Sequence, residues 1–199
     1  MRSTSHAGAA TLGAVVILIL LGALFAAGCS RTPGPAGESC EITPPLEVGH
    51  KVGDMVLPSA SGGPTRISTL IEGKVALIDV WATWCQPCLI ALPHLEKLHA
   101  EYGDKGFTVV GVLVDGNANK IGPSFVEKKD IDYPVLLDDE GQRFMCDWGE
   151  FLAVPHMLIV DRDGTVLDVF SGMGDLTVVD RRLEEILGEP LAEAASRVL

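Results

Sequence analysis

The distribution of apolar residues along the chain predicts two buried β-strands separated by a helix. Residues 74–82 and 107–114 are almost continuously apolar and rich in β-branched side chains, which is typical of strands covered on both faces. Between them, over residues 89–102, leucines recur at every third position, a helical spacing. These leucines are Leu89, Leu92, Leu95 and Leu98. His94 and His99, on the same helix, are expected to face solvent. A strand, a helix and a second strand in this order predict an α/β domain.

The rest of the pattern completes one layered domain. The further predicted segments are a hairpin (55–57 with 66–68), a helix at 123–129, a strand at 133–137, a second hairpin (157–160 with 165–170) and a helix at 176–187. Asp161-Arg162-Asp163-Gly164 forms the turn of the second hairpin. A calcium loop starting there would need Glu at its twelfth position, which is Gly172. The predicted fold is α/β, with a central mixed β-sheet flanked by helices and an N-terminal β-hairpin extension.

The first 28 residues indicate a targeting segment. Arg2 is followed by an uncharged, apolar stretch over residues 11–28, which is the arrangement of a secretory signal. The stretch ends in Leu24-Phe25-Ala26-Ala27-Gly28-Cys29 and resembles the lipobox of bacterial lipoproteins, in which the cysteine becomes acylated. Three interpretations stay open: a lipoprotein anchored at Cys29, an uncleaved helical anchor, and a plain cleaved signal. Each of them places the rest of the chain on the extracytoplasmic, periplasmic side of a membrane.

Composition divides the remaining chain into a tether, a domain and a tail. Residues 29–47 are rich in Pro, Gly and Ser, which cannot build a core and indicate a tether. A folded domain is predicted over residues 48–188 and a C-terminal tail over 189–199. Apolar residues make up 47% of the chain, which excludes global disorder. The formal net charge of −12 argues against a nucleic-acid partner, because phosphate contacts require a basic face.

The candidate chemistry lies in Trp84-Cys85-Gln86-Pro87-Cys88, where the first buried strand gives way to the helix. At a helix N-terminus, unpaired N–H groups and the helix dipole favour an anion, which lowers the pKa of the Cys85 thiol and makes it a nucleophile. Cys88, one turn further on, is the resolving thiol. It displaces the substrate, called the client below, from a mixed disulfide with Cys85. Gln86 and Pro87 shape the motif, since proline suits a first helical turn.

Two other uses of this cysteine pair are disfavoured. A zinc site needs two further ligands at matching spacing, and the sequence has no second Cys-x-x-Cys and no His-x-x-x-His. A purely structural bridge does not need a place at the start of a helix. The sequence therefore predicts a redox dithiol, with no metal and no cofactor.

The chain around this motif resembles the active-site stretch of the thioredoxin superfamily. The resemblance is carried by residues 75–88, which end in Trp81-Ala82-Thr83-Trp84-Cys85-Gln86-Pro87-Cys88, and it covers roughly residues 48–187. The motif, the tether and the hairpin are most similar to the TlpA/ResA-type extracytoplasmic thiol-disulfide oxidoreductases. This resemblance implies a thioredoxin-like fold, protein substrates that carry disulfides, and an upstream membrane electron donor.

Further positions match the family one by one. Pro93 matches the proline that kinks the family's active-site helix. Pro155 matches the cis-proline that faces the dithiol, and Val154 before it would offer backbone groups to an extended substrate segment. The alternative is an ordinary trans proline at the start of a strand. Trp84, beside the nucleophile, is expected to contact substrate. His156 stands where relatives often have Thr, and it is either a substrate contact or a buried sheet histidine.

Asp79 is an acidic residue in the middle of an otherwise apolar strand. It matches the buried carboxylate of thioredoxin. Because burial disfavours the ionised form, the pKa of Asp79 should be raised, and Asp79 is predicted to accept the proton of Cys88. The alternative is a structural acid that is hydrogen-bonded inside the sheet. Thioredoxin has a lysine near this acid, and alignment of the strands places Gly111 there.

Two cysteines remain, Cys40 and Cys146. Extracytoplasmic proteins tend to oxidise such thiols, so a Cys40–Cys146 bridge that pins the tether to the domain is one interpretation. The others make Cys146 a small buried residue or a third redox-active thiol.

The sequence as a whole predicts a membrane-tethered thiol-disulfide oxidoreductase that reduces disulfides of extracytoplasmic partner proteins. A thiol peroxidase is less favoured, because Ala82 and Ile78 stand where peroxiredoxins require Thr and Pro. A redox-gated partner-binding module, in which the dithiol acts as a switch without turnover, stays open.

Overall fold

A central five-stranded sheet organises the protein in the computed structural model. The structure describes residues 43–172 and 174–188. In chain order, its elements are β1 (Val56–Pro58), β2 (Pro64–Arg66), α1 (Ile67–Ile71), β3 (Val75–Trp81), α2 (Gln86–Tyr102), β4 (Phe107–Leu113), α3 (Ala118–Lys129), β5 (Val135–Leu137), α4 (Gln142–Asp147), β6 (His156–Val160), β7 (Val166–Ser171) and α5 (Leu176–Leu187). Single 3-10 turns lie at Gly103–Lys105 and Asp139–Gly141.

The strands of the sheet follow the order β5-β4-β3-β6-β7. β3, β4 and β5 are parallel to one another, whereas β6 is antiparallel to β3 and β7 is antiparallel to β6. The central strands β3 and β4 are buried along their whole length, as their continuous apolar sequences require. β1 and β2 form a separate antiparallel hairpin. The predicted fold class, with its mixed sheet, flanking helices and N-terminal hairpin, is confirmed.

Element boundaries differ from the predicted ones mainly in the helices. α2 begins at Gln86, ahead of the leucine pattern, because Cys85 caps it. α3 begins at Ala118 rather than at Pro123, which lies inside the helix although proline usually marks a first turn. The predicted hairpin strand at 66–68 is wrong in its bounds, because β2 ends at Arg66 and α1 begins at Ile67. α1 and α4 were not predicted, because helices of 5 and 6 residues are too short to show a periodic apolar pattern.

One face of the sheet carries the site. Side chains alternate along a strand, so Asp79 and Trp81 of β3 point to the same face. The Trp81 ring packs against Phe125 of α3, with ring centroids 5.7 Å apart. Met157 of β6 pairs with Asp79 and lines a cavity together with Ala91 of α2. This face is therefore covered by α2 and α3, and Trp81, which is fully buried, belongs to the core.

The domain begins before residue 48, where the sequence places the end of the tether. Thr43 donates its backbone N–H to the Met145 carbonyl at 3.2 Å and accepts the N–H of Glu150 at 3.3 Å. Gly149 has a φ of +96°, and a Cβ at this position would overlap the backbone of Pro44. Composition did not reveal this packing, because backbone groups make the contacts.

Several predicted features lie outside the described residues. They are the targeting segment 1–28, the tether up to residue 42 with Cys29 and Cys40, and the tail 189–199. Over residues 43–172 and 174–188, no helix is both long enough and apolar enough to cross a membrane.

Candidate active site

Cys85 and Cys88 form a disulfide at the start of α2, with their Cα atoms 5.3 Å apart. Cys85 is the N-cap residue of the helix, and its Sγ accepts the backbone N–H of Cys88 at 3.2 Å. Cys88 is fully buried, whereas 4% of Cys85 is exposed. This difference in exposure favours Cys85 as the sulfur that a client reaches first.

A buried aspartate that the sequence did not reveal holds the loop in front of Cys85. Asp115 follows β4, and its carboxylate oxygens accept the backbone N–H of Thr83 at 2.8 Å and the Thr83 hydroxyl at 2.7 Å. The Asp115 carbonyl accepts the backbone N–H groups of Ala118 and Glu140. Because β3 and β4 are parallel, the residues that follow them meet at one edge of the sheet. An acid directly after a predicted strand was the signal that could have identified Asp115.

The prolines and the glutamine of the motif occupy defined places in α2. Gln86 and Pro87 are its first two residues, and Pro93 lies inside it. Pro87 has no N–H to leave unpaired at the helix start, whereas Pro93 cannot donate to the Leu89 carbonyl. Gln86 is exposed and Pro87 is half-buried, so both border the surface around the disulfide.

The expectation that His94 and His99 face solvent is wrong. His94 Nε2 lies 2.7 Å from Asp180 Oδ1 of α5, and only 17% of the histidine side chain is exposed. His99 Nδ1 accepts the backbone N–H of Val109 at 3.2 Å, and burial lowers the pKa of His99. Both histidines therefore join α2 to its neighbours. The leucine spacing identified the buried face of α2 but not the polar partners at its borders.

The Val154–Pro155 peptide bond is cis, as the resemblance implied. Pro155 is buried and Val154 is half-buried, directly before β6. Pro155 lines a cavity of about 160 Å³ together with Pro87 and Ile90 of α2. The cis-proline and the first turn of the disulfide-bearing helix thus border the same space, which extends to α5 at Val179.

His156 is buried in β6. Its Nδ1 lies 2.7 Å from Ser171 Oγ of β7, and its ring contacts those of Phe144 and Phe151. Burial lowers the pKa of His156, which favours the neutral ring. Of the two interpretations of this residue, these contacts favour the sheet histidine over the substrate contact.

Large apolar side chains are exposed on the segments that carry the site. Trp84 and Ile90 flank the cysteine pair along the chain and are 68% and 66% exposed. Leu152, three residues before Pro155, is 89% exposed. Exposed apolar groups that gather near a reactive centre indicate a surface for contact with another molecule.

Asp79 is fully buried in β3, and among the described residues neither of its carboxylate oxygens has a hydrogen-bond partner. Burial raises the pKa of Asp79 to about 7. The parallel register pairs Asp79 with Gly111 of β4, so the strand alignment is confirmed and the facing residue carries no charge. The absence of a partner within the described part of the chain argues against the hydrogen-bonded structural acid. Asp79 can exchange a proton near neutral pH.

The remaining cysteines are only partly described. Cys146 is disulfide-bonded, whereas Cys40 lies outside the described residues. Thr43, close to Cys40 in sequence, bonds to Met145 beside Cys146. The Cys40–Cys146 bridge stays a prediction. In the part of the chain that the structure describes, no group of three or more His, Cys, Asp or Glu side chains is placed to hold a metal ion.

Comparisons with known proteins agree with this geometry. The family model described as Redoxin matches residues 47–187. The thiol-disulfide oxidoreductase ResA of Oceanobacillus iheyensis is 29% identical over 116 residues, which cover 58% of this chain and 59% of that protein. The thioredoxin-like protein YneN of Bacillus subtilis is 29% identical over 143 residues, 71% of this chain and 79% of that one. A crystal structure from Chlorobium tepidum, described as a thiol:disulfide interchange protein DsbE, has a TM-score of 0.64 at 29% identity and covers 72% of this chain and 99% of its own.

Proposed function

Because the chain belongs to the Redoxin family and resembles its TlpA/ResA-type relatives, we propose that it is a membrane-tethered thiol-disulfide oxidoreductase that reduces disulfides of extracytoplasmic proteins. The observation that carries the proposal is the disulfide between Cys85 at the helix N-cap and the buried Cys88. This arrangement offers one sulfur for attack on a client and keeps a second sulfur in reserve. Thiol-disulfide exchange through a mixed disulfide requires both.

Reduction of a client takes two exchange steps. In the first, the Cys85 thiolate attacks one client sulfur, a Cys85–client disulfide forms, and the other client sulfur leaves as a thiolate. In the second, Cys88 gives its proton to ionised Asp79 and its sulfur attacks Cys85. The Cys85–Cys88 bond forms, and the second client sulfur leaves with the electron pair of the broken bond. The client is reduced, the protein ends in its disulfide form, and an external dithiol donor then restores the two thiols.

The surface around the pair supports a protein client. Trp84 and Ile90 offer exposed apolar area beside the disulfide, and the cavity bordered by Pro87 and Pro155 has room for an apolar side chain. Val154, before the cis-proline, would pair its backbone with an extended client segment, in the manner of strand addition. We expect clients to present their disulfide in an extended, partly apolar segment.

Membrane attachment is the finer part of the proposal and depends on the N-terminal sequence. The apolar segment up to residue 28, followed by Cys29 and a tether, would hold the domain at the extracytoplasmic surface through a lipid or a helix. A dithiol donor in the same membrane would then be the upstream source of electrons. An anchored position would keep the domain within reach of both donor and client.

The proposal is tested by the reduction of insulin with dithiothreitol as the donor. We expect the full chain to accelerate reduction over many turnovers and Cys85→Ser to abolish the acceleration, because the attacking sulfur is lost. The matched control is the double variant Cys40→Ser/Cys146→Ser, which changes cysteines outside the pair without leaving one of these two as a new free thiol, and it should remain active. Equal rates for the wild type and Cys85→Ser would overturn the proposal. Binding of insulin without turnover would favour the redox-gated module.

A further inference from the structure

The space opposite Asp79 is filled by two aromatic side chains. Gly111 faces Asp79 across the β3–β4 pair. A Cβ at position 111 would lie 3.0 Å from Trp81 Nε1 and 3.1 Å from Tyr133 Cε2. The indole and the phenol ring therefore occupy the room that a side chain on β4 would need, and they stand around the same glycine that faces the acid.

The polar atoms of Asp79 and of the two aromatic side chains share one feature. In the described part of the chain, four buried side-chain atoms have no hydrogen-bond partner: Asp79 Oδ1, Asp79 Oδ2, Trp81 Nε1 and Tyr133 Oη. Two of them are acceptors and two carry hydrogens. Buried polar groups are nearly always bonded, so a set of four complementary ones around one glycine calls for an explanation. The two groups that carry hydrogens are therefore candidate hydrogen-bond donors to the two carboxylate oxygens.

We infer that Tyr133 is a positioning residue for Asp79: its hydroxyl, together with the Trp81 indole N–H, donates hydrogen bonds to the Asp79 carboxylate when that carboxylate is ionised. The inference rests on the proposed function, in which ionised Asp79 takes the proton of Cys88. The S–H bond of Cys88 breaks, the proton moves to an Asp79 oxygen, and the sulfur electron pair forms the bond to Cys85. The two donors stabilise the ionised form of Asp79, which is the form that can accept this proton. Their hydrogen bonds to the neutral carboxyl group are weaker.

Other groups near Tyr133 support its role as a donor. Burial, then the charges of Asp79 and Glu96, raise the pKa of Tyr133 well above its ordinary value, so the phenol keeps its proton. Glu96 of α2 is held by the backbone N–H of Asp132 at 2.9 Å. His99 of α2 places its ring against that of Tyr133, with centroids 6.1 Å apart.

Among residues 43–172 and 174–188, the elements packed around Asp79 bring no cation to it. α2 contributes Cys88, Glu96 and His99 to this face, and His99 accepts the Val109 N–H and tends to be neutral. β4 contributes Gly111. On the other side of β3, β6 contributes Met157, which pairs with Asp79. Within the described residues, the two aromatic donors are thus the groups suited to stabilise a negative charge at this position.

The test is the titration of Asp79 in Tyr133→Phe, which removes one oxygen and keeps the ring. Carbon-13 NMR of the aspartate carboxyl groups follows it in the oxidised full chain in detergent, with Asp79→Asn identifying the signal. Loss of a hydrogen bond to a charged group should move the midpoint upward by about 1 pH unit. Tyr102→Phe is the matched control: its hydroxyl bonds to Glu101 at the far end of α2, and it should leave the midpoint unchanged.

A second measurement reads the same interaction as stability. Relative to the wild type, Tyr133→Phe should be less stable at high pH than at low pH, and this difference should vanish in the Asp79→Asn background. An unshifted Asp79 midpoint, or a pH-independent stability change, overturns the inference. If Asp79 shifts while insulin reduction proves independent of Cys85, the pairing stands and the proposed function falls. If only the Asp79 shift is missing, the proposed function stands without Tyr133.

Discussion

Asp79, in β3, and Asp115, directly after β4, are both buried, and the fold gives them opposite surroundings. Asp115, which is 5% exposed, accepts two hydrogen bonds from Thr83 and fixes the loop that leads to Cys85. Asp79, which is fully buried, has no partner among the described residues and faces a glycine. Two carboxylates at neighbouring strands are thus placed in a bonded and an unbonded environment.

The difference separates structure from proton exchange. A carboxylate that accepts hydrogen bonds from a loop stabilises the conformation of that loop, because the N–H and O–H groups stabilise its negative charge. Asp79 makes no such bonds with the residues that the structure describes, and burial penalises its ionised form, so the protonation state of Asp79 changes near neutral pH. The two aromatic donors inferred above would offset part of that penalty. We interpret Asp115 as the residue that positions the attacking cysteine and Asp79 as the proton acceptor of the resolving cysteine.

The largest effect is expected for Asp79→Asn, which removes the acid and keeps its volume. The folded-state pKa of Asp79, about 7, lies above its ordinary value of 3.8, so the unfolded chain ionises first. Stability contributed by the protonated form is therefore lost as pH rises through this window. Between about pH 5 and pH 8, the free energy of unfolding of the oxidised wild type should fall by about 3 kcal/mol relative to the variant.

Chemical denaturation at the two pH values measures this change. Asp104→Asn is the control, because it makes the same chemical change at an exposed aspartate and should leave the pH dependence as it is. Parallel pH profiles for the wild type and Asp79→Asn would contradict the contrast between the two buried acids.

A smaller effect is expected for Asp115→Ala, which removes both bonds to Thr83. The oxidised protein should lose about 2 kcal/mol of stability, and insulin reduction should slow because the loop before Cys85 is no longer held. Asp115→Asn keeps one acceptor for the Thr83 N–H and should lose less. Denaturation curves and initial rates of the three proteins test this order. An Ala variant as stable and as active as the wild type would show that the two bonds do not position Cys85.

The sheet could be predicted because the local sequences of β3 and β4 identify them as strands. Their continuous apolar, β-branched sequences are typical of strands covered on both faces, and alignment of the two strands pairs Asp79 with Gly111, as the structure does. α1 and α4 could not be found in the same way, since so short a helix is stabilised by what it packs against rather than by its own sequence.

The same distinction between local sequence patterns and long-range contacts applies to the site. Cys85, Cys88 and the cis bond at Pro155 are marked by short motifs and could be assigned from the sequence. Asp115 and Tyr133 make their contacts with segments that are distant in the chain. A local sequence pattern does not indicate which of these side chains will be in contact. The pairing of His94 with Asp180 was missed for this reason.

The central claim is that Cys85 attacks a client and Cys88 releases it. The most direct measurement is mass spectrometry of acid-quenched mixtures of the reduced protein with a peptide that carries one disulfide between apolar residues. In Cys88→Ser, the account predicts that a mixed disulfide accumulates on Cys85, while Cys85→Ser gives none at this site and the wild type releases reduced peptide. Equal amounts of adduct in both variants, or an adduct on Cys88 alone, would contradict it.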